Sequence, residues 1–173
     1  MKLNVITLAL ATGLLVSCGP TTQQTTSANA AMDVPASITA NFQAQYPTAT
    51  NVTWNRYDAS TAAPIDWELV GWAPLDNNDY VVTFDVGTDR YYAWYDSNGT
   101  WIGTTYNIGD FSMLPASIHS MIRDKYQGYA IVDVDKEMWQ SQTAYEVKLK
   151  RDDAKIKLLV DNNGNVIKEK MKD

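Results

Sequence analysis

Residue types that commonly carry catalysis or bind metals are scarce in this 173-residue chain, which has one histidine, His119, and one cysteine, Cys18. His119 follows Ile118 in a predicted helix, with no second His or Cys nearby, whereas a metal site needs several such ligands. Motifs of serine hydrolases, zinc proteases, phosphate-binding loops and dinucleotide folds are missing from the sequence. The sequence therefore predicts no catalytic residue, no metal and no cofactor, and we expect a protein that is not an enzyme.

The residues before Cys18 indicate what this cysteine does. Lys2 is followed by an apolar run from Val5 to Val16, which is shorter than the roughly 20 residues that a spanning helix needs. This pattern predicts a signal peptide over residues 1–17. Leu15-Val16-Ser17-Cys18 resembles a bacterial lipobox, which implies that Cys18 becomes the first mature residue and carries lipid; an ordinary cleaved signal is the alternative. Such an anchor binds a membrane without crossing it.

Residues 18–32 are predicted to form a lipidated flexible tether, because the stretch from Gly19 to Ala31 has no charge and no aromatic residue. By resemblance to bacterial sorting rules, Gly19 after the cysteine favours the outer membrane. The missing acidic cluster after Cys18 favours the periplasmic face of that membrane. A single cysteine provides no disulfide within the chain, so stability must come from burial.

The rest of the chain reads as two copies of one unit. Val34-Pro35-Ala36-Ser37-Ile38 returns as Leu114-Pro115-Ala116-Ser117-Ile118, 80 positions later. Tyr46 matches Tyr126, and Val52 matches Val132, at the same spacing. We therefore predict a first repeat over residues 33–110 and a second over residues 113–173.

Each copy is predicted to contain one helix and four strands. In the first, Ile38, Phe42 and Tyr46 form an apolar stripe at helical spacing, and the second copy has Ile118, Ile122 and Tyr126. Alternating segments predict strands at 52–57, 80–84, 90–95, 100–108, 130–134, 145–150, 155–160 and 165–169. Turns with the pattern Asp-x-Asn-Gly, at 96–99 and 161–164, favour hairpins over calcium loops. The predicted fold class is α+β: tandem α-β-β-β-β repeats with helices packed on one face of antiparallel sheet.

These features resemble the PepSY-like, β-lactamase-inhibitor-protein-like periplasmic proteins of Bacteroidetes-type bacteria. The resemblance rests on the two (V/L)PASI starts, the Tyr at each helix end and the strand–DxNG–strand hairpins, and it covers about residues 33–170. It implies a helix-on-antiparallel-sheet fold with a binding or inhibitory role. It brings no catalytic residues, and it does not make a β-lactamase the partner.

The two halves differ in net charge. Residues 33–110 hold two basic residues against ten acidic ones, a net charge of −8, while residues 113–173 have a net charge of +1. An acidic half disfavours nucleic acid, whose phosphates need Lys and Arg. The charge either steers a basic partner or only keeps the protein soluble.

The two halves also differ in their aromatic residues, because five of the six tryptophans lie in the first half. In the second half, Ile156, Leu158 and Val160 alternate with lysines and should face the core. Their counterparts are Tyr91, Ala93 and Tyr95. Tyr92 and Trp94 therefore fall on the opposite face, where we predict an exposed or partner-covered aromatic surface. The face of Trp101 depends on the length of the connection at 96–99 and stays open.

The first half also carries 15 extra residues between its first and second strands, within an inserted loop at 58–79. It contains Trp67 and Trp72 beside the acidic Asp66 and Glu68. A loop this long in a small domain is more often functional than decorative, and Trp is a common interface anchor that can also stack on sugar rings. The alternative is that the loop folds back and plugs one end of the sheet.

Two functions fit these sequence features. We favour a non-catalytic periplasmic lipoprotein that acts as a protein-binding or inhibitor-like module, through an open sheet face and the inserted loop. The alternative is a glycan- or small-ligand-binding lipoprotein, which a concave pocket would favour. The candidate binding residues for both are Asp66, Trp67, Glu68, Trp72, Tyr92, Trp94 and Trp101.

Overall fold

A computed structural model describes residues 32–61 and 64–172. These residues form one compact unit. The predicted signal peptide, Cys18 and all of the predicted tether except Met32 lie outside the described residues. Among the helices that the structure describes, none is long and apolar enough to span a membrane.

In the described part of the chain, one antiparallel sheet is formed by eight strands that lie side by side in chain order. The strands are β1 (Thr50–Arg56), β2 (Tyr80–Val86), β3 (Asp89–Tyr95), β4 (Trp101–Asn107), β5 (Ala130–Trp139), β6 (Gln142–Arg151), β7 (Ala154–Asp161) and β8 (Val166–Lys172). The helices are α1 (Ala36–Gln45), the short α2 (Trp67–Val70) and α3 (Ala116–Lys125), with a 3-10 turn at Phe111–Met113. All eight predicted strands and both longer predicted helices are confirmed. The class is mainly β, so the α+β prediction holds only coarsely.

The helices α1 and α3 begin and end in the same way. Pro35 and Pro115 precede the first helical residues, where a missing N–H costs nothing. Each helix ends at a tyrosine, Tyr46 or Tyr126, whose backbone N–H donates to a carbonyl four residues earlier. The predicted helix boundaries are therefore set by local chemistry.

Both helices pack on the same side of the sheet, which we call the helix face. Under α1, Ile38 and Phe42 contact a cluster of buried residues from β2 and β3. Under α3, Ile118 and Ile122 contact a larger cluster from β5, β6 and β7. The predicted core residues of β7, Ile156, Leu158 and Val160, are all buried, so the alternation in that strand predicted its inner face correctly.

The two Asp-x-Asn-Gly segments are turns, as predicted. The Asp96 Oδ1 accepts hydrogen bonds from the N–H groups of Asn98 and Thr100, at 2.9 and 2.8 Å. Asp161 does the same for the N–H groups two and four residues further on. Gly164 has a φ of +81°, and a Cβ there would lie 2.7 Å from the Ser117 carbonyl oxygen. Glycine is therefore required at that turn by both backbone conformation and space.

The inserted loop crosses the other side of the sheet, which we call the loop face. Its stretch Ile65–Trp72, named here the cover segment, contains α2, which contacts β7 and β8. Four of its apolar side chains are buried against the sheet: Ile65, Leu69, Val70 and Trp72. Full burial of one such side chain is worth about 1.5–3 kcal/mol. The cover segment is therefore a second core layer, and the prediction of an open sheet face is wrong where this layer lies.

Candidate functional site

Two predicted binding residues, Trp72 and Trp94, are core residues. Their exposed fractions are 7% and 1%. With Trp67 they form a cluster of edge-to-face rings whose centroids lie 5.2 to 5.8 Å apart. Trp94 does lie on the face predicted for it, but the chain's own cover segment buries it. The predicted exposure is therefore wrong for Trp94. For Trp72 the structure shows the alternative, in which the inserted loop folds back on the sheet, and Trp67 is half-buried in the same cluster.

A glycine in β4 makes room for this cluster. Gly103 lies opposite Trp94 in the sheet, and a Cβ on it would lie 2.3 Å from the Trp72 ring. No larger residue fits there unless the Trp72 ring moves. Glycine inside a strand often marks such a close approach, so Gly103 is a sequence signal that could have indicated the packing of Trp72.

Trp101 lies apart from the other candidate residues. A shift in the β3–β4 pairing places it opposite Tyr95, and its half-buried ring packs with the α1 cluster on the helix face. Its Nε1 donates to the Thr104 Oγ1 at 2.9 Å. The structure therefore separates Trp101 from the loop-face aromatics with which the prediction grouped it.

Asp66 and Glu68 fasten the cover segment to the last two strands. The Asp66 Oδ2 lies 3.3 Å from the Lys157 Nζ and 3.4 Å from the Lys170 Nζ. Glu68 pairs with Lys170 at 2.8 Å. Burial alone would raise the pKa of Asp66, but these lysines outweigh it and the pKa is lowered. Both acids thus hold the chain's own layers together.

Two carboxylates of β5 and β6 are fully buried beneath this layer. Glu146 accepts a hydrogen bond from the Asp66 N–H at 3.1 Å and lies 3.4 Å from the Lys157 Nζ. Neither carboxyl oxygen of Glu137 has a hydrogen-bond partner among the described residues. Burial, followed by the charges of Glu146 and Asp135, raises the pKa of Glu137 to about 9. Glu137 is therefore protonated at neutral pH.

The geometry of this acidic pair does not suit catalysis. General acid–base chemistry requires the carboxyl groups to reach a substrate, and Glu137 and Glu146 both have 0% exposure. Within residues 32–61 and 64–172, no group of three or more His, Cys, Asp or Glu residues could hold a metal ion. We therefore assign the pair to the core.

At the β1 end of the loop face, the cover segment leaves a concave region open. This β1–β3 groove has a volume of about 470 Å³. It is lined by Asn55, Arg56, Tyr57, Asp58, Thr61, Pro64, Val81, Thr83, Tyr92 and Trp94. Tyr92, which lies opposite Thr83 in the sheet, is half-buried here. Two of the predicted aromatics thus line this groove, and of these Tyr92 is partly exposed whereas Trp94 is buried.

The groove combines aromatic rings with one charged carboxylate. Tyr57, which was not among the predicted binding residues, continues the β1 alternation, and its N–H donates to the Asp79 carbonyl at 2.9 Å. Hydrogen bonds from the Ser60 hydroxyl and N–H lower the pKa of Asp58, so Asp58 is ionised at neutral pH. The Arg56 guanidinium instead turns to the other face, 3.9 Å from the Tyr80 ring centre. The groove can therefore offer stacking surface and negative charge to a ligand.

The chain thus combines a helix-backed antiparallel sheet with an accessible groove that contains aromatic side chains. A family model described as "Putative beta-lactamase-inhibitor-like, PepSY-like" matches residues 78–168, which are 91 of the 173 residues. The chain belongs to this PepSY-like family, as the resemblance in its repeats predicted. The match begins just before β2, so α1, β1 and the cover segment lie outside it.

Solved structures of Bacteroides proteins share the fold. A BLIP-like protein from Bacteroides fragilis NCTC 9343 has 17% identity and a TM-score of 0.63, covering 81% of this chain and 87% of that one. A DUF2874 family protein from Bacteroides uniformis ATCC 8492 has 18% identity and a TM-score of 0.62, with coverages of 80% and 90%.

A third structure, named "putative periplasmic proteins", comes from Bacteroides eggerthii DSM 20697. It has 15% identity and a TM-score of 0.61, and the match covers 80% of this chain and 89% of that one. At these identities the likeness concerns the fold alone. No curated protein matches the chain.

Proposed function

We propose that the protein is a non-catalytic protein-binding module, inhibitor-like in its action, and that it binds through the β1–β3 groove. The observation that carries the proposal is the position of Tyr57 and Tyr92, which line that groove and stay partly exposed while they pack against the buried cluster of Trp72 and Trp94. Tyr is enriched at interface hot spots because it offers a large rigid surface with a polar tip. The groove replaces the wide open sheet face that the sequence predicted.

The charge of the surrounding half supports a basic partner. Residues 33–110 carry a net charge of −8, and Asp58 adds an ionised carboxylate at the groove itself. Complementary charge speeds association and rejects acidic competitors. A partner with exposed Lys or Arg beside an apolar residue would match both features of the groove.

We further propose that a lipid anchor at Cys18 holds this module on a membrane, at the periplasmic face of the bacterial outer membrane. Its support is the lipobox-like Leu15-Val16-Ser17-Cys18 and the periplasmic name of a structural neighbour. We also propose that the two halves are copies of one α-β-β-β-β unit. The shared helix start at Pro35 and Pro115, and the shared turns at Asp96 and Asp161, support this.

A second candidate function is the binding of a glycan or another small polar ligand in the same groove. Its volume of about 470 Å³ lies within the range of roughly 300–1,000 Å³ that is usual for ligand pockets. Tyr57 and Tyr92 could stack on a sugar ring, with Asn55 and Asp58 as hydrogen-bond partners. This candidate needs no protein partner.

The test compares the wild-type unit, residues 32–173, with a Tyr57→Ser/Tyr92→Ser variant. Tyr129→Ser serves as the matched control, because Tyr129 is a half-buried tyrosine of the second half that packs with Arg151. Proteins captured from periplasmic extract would be identified, purified and titrated by calorimetry, and the same variants would be applied to a glycan array.

We expect the double variant, but not the control, to lose affinity for a captured protein. Loss of glycan binding alone would favour the second candidate. Unchanged binding in both assays would contradict the groove as the site.

A further inference from the structure

The two edges of the sheet differ in their charged residues. Edge strand β8 has Lys168, Lys170 and Lys172 at alternate positions of its sequence, and lysine on an edge strand discourages pairing with other strands. Edge strand β1 contains no Lys, Asp, Glu or Pro, and Arg56 is its one charged residue. With fewer charged residues than β8, β1 is the edge that is less protected against pairing with another strand.

On the outer side of β1, the backbone groups have no backbone hydrogen-bond partner among residues 32–61 and 64–172. The Tyr57 N–H donates to the carbonyl of Asp79, the residue just before β2, and N–H and C=O groups in an antiparallel strand alternate between its two sides. Asn55 therefore also faces β2, whereas the backbone groups of Trp54 and Arg56 point away from the sheet. A pairing irregularity between Thr50 and Thr53 limits the regular part of this edge to its last four residues.

A groove flanks β1 on each face of the sheet. On the helix face, a helix-side groove of about 440 Å³ is lined by Thr39, Phe42, Gln43, Tyr46, Pro47, Ala49, Val52 and Trp54. On the loop face lies the β1–β3 groove. An added strand would point successive side chains to opposite faces, so one set would meet the mainly apolar helix-side groove. The other set would meet the groove that contains Asp58.

Charge distinguishes the possible occupants of this edge. A second copy would bring one half of net charge −8 against another, and like charges oppose such pairing. A basic segment would instead be attracted to the half as a whole and to Asp58 in particular. The chemistry that fits is an extended segment with apolar residues alternating with Lys or Arg.

We propose that β1 accepts an extended basic segment of another protein as a ninth strand of the sheet. Its apolar side chains lie in the helix-side groove, and its Lys or Arg side chains lie toward Asp58. The backbone groups of Trp54 and Arg56 supply the pairing hydrogen bonds, in the mode known as β-augmentation. This inference rests on the proposed binding function and narrows its partner.

The probe is a fluorescently labelled heptapeptide, Lys-Val-Lys-Val-Lys-Val-Lys, matched to the seven residues of β1. The control peptide has Glu in place of Lys. Anisotropy titrations with residues 32–173 should show binding of the basic peptide that weakens as salt is raised, because exposed charges are screened. Binding of the acidic peptide with equal affinity would overturn the proposal.

The matched variants are Arg56→Pro and Arg56→Ala. Both remove the side chain, but only proline removes the outward N–H, which the β1–β2 ladder does not use. We expect Arg56→Pro to weaken peptide binding about tenfold relative to Arg56→Ala, because one pairing hydrogen bond is lost and the ring hinders the added strand. Equal affinities of the two variants would contradict strand addition.

Hydrogen exchange on the wild-type unit tests the same point without a variant. The peptide should protect the Trp54 and Arg56 amides, and unchanged exchange at both would overturn the proposal.

Sedimentation of the protein without peptide tests whether a second copy of the chain occupies the edge instead. A dimer that the Arg56→Ala variant retains and the Arg56→Pro variant abolishes would show that β1 pairs with β1 of another copy. If the Tyr57→Ser/Tyr92→Ser variant no longer binds a natural partner while the Arg56→Pro variant still does, the proposed binding function is supported and strand addition at β1 is contradicted.

Discussion

The two halves of the sheet differ most on the loop face. In the second half this face carries Lys148, Lys157, Glu137 and Glu146 on adjacent strands, and the cover segment closes over much of it. In the first half the corresponding face ends in an open groove at Tyr92. The cover segment belongs to the first half by sequence yet packs on β7 and β8. The extra segment of the first half thus closes much of the loop face of the second half, while on its own half it buries Trp94 and leaves a groove open at Tyr92.

The largest expected effect comes from removing the centre of the covered layer. Trp72→Ala would leave a cavity between the cover segment and the sheet, beside Trp67 and Trp94. Substitutions of this kind cost about 3–5 kcal/mol. Chemical denaturation of residues 32–173 would measure it, with Val52→Ala as the exposed apolar control. A loss below about 1 kcal/mol would show that the layer contributes little to the core.

The Gly103→Ala variant tests the contact between the cover segment and β4. The added Cβ meets the Trp72 ring, and overpacking of this kind costs about 1–3 kcal/mol. Because the clash involves one partner, the cost should largely disappear in a Trp72→Ala background. A double-mutant cycle by denaturation measures the coupling, and additive losses would contradict the contact.

Glu137→Gln tests the buried acid through pH. The pKa of Glu137 is raised from 4.5 to about 9 in the folded protein, so its contribution to stability is fully present below about pH 4.5 and is lost as pH rises toward about 9. The neutral variant should therefore be about 1–3 kcal/mol more stable than wild type at pH 7, and nearly equal to it at pH 4. Melting curves across this range would check it. A wild-type advantage at pH 7 would mean that Glu137 is ionised and paired.

The smallest effect is expected at the ion pairs of the cover segment. Asp66→Asn loses contacts to Lys157 and Lys170 in a half-buried site, and we expect a cost of about 1 kcal/mol. The low pKa of Asp66 means that this contribution is present above its unfolded pKa and is lost as pH falls through the folded one. Glu68→Gln is the matched control. Its side chain is 82% exposed, so an equal or larger loss there would reverse the assignment.

Local patterns predicted the elements well. Helix ends at Tyr46 and Tyr126 and hairpins at Asp96 and Asp161 depend on neighbouring residues, and alternation assigned Trp94 to its correct face. The exposure of Trp94 could not be predicted in this way, because the cover segment reaches it through contacts between distant residues.

Some features of the sequence do reflect the packing of the cover segment on the sheet. Asp66 pairs with lysines 91 and 104 positions later, a distance that no local pattern spans. Leu159 is an apolar residue on the face of β7 that also carries Lys155 and Lys157, and Gly103 interrupts β4. Both residues are explained by the cover segment, since Leu159 packs against Leu69 and Gly103 admits Trp72.

Hydroxyl-radical footprinting of residues 32–173 tests the central claim most directly, because it reports the accessibility of individual rings in solution. If the cover segment closes the loop face and leaves the β1–β3 groove open, Tyr57 and Tyr92 will be oxidised readily, with Trp72 and Trp94 protected about tenfold or more relative to the unfolded chain. Rapid oxidation of Trp72 and Trp94 in the folded protein would contradict it.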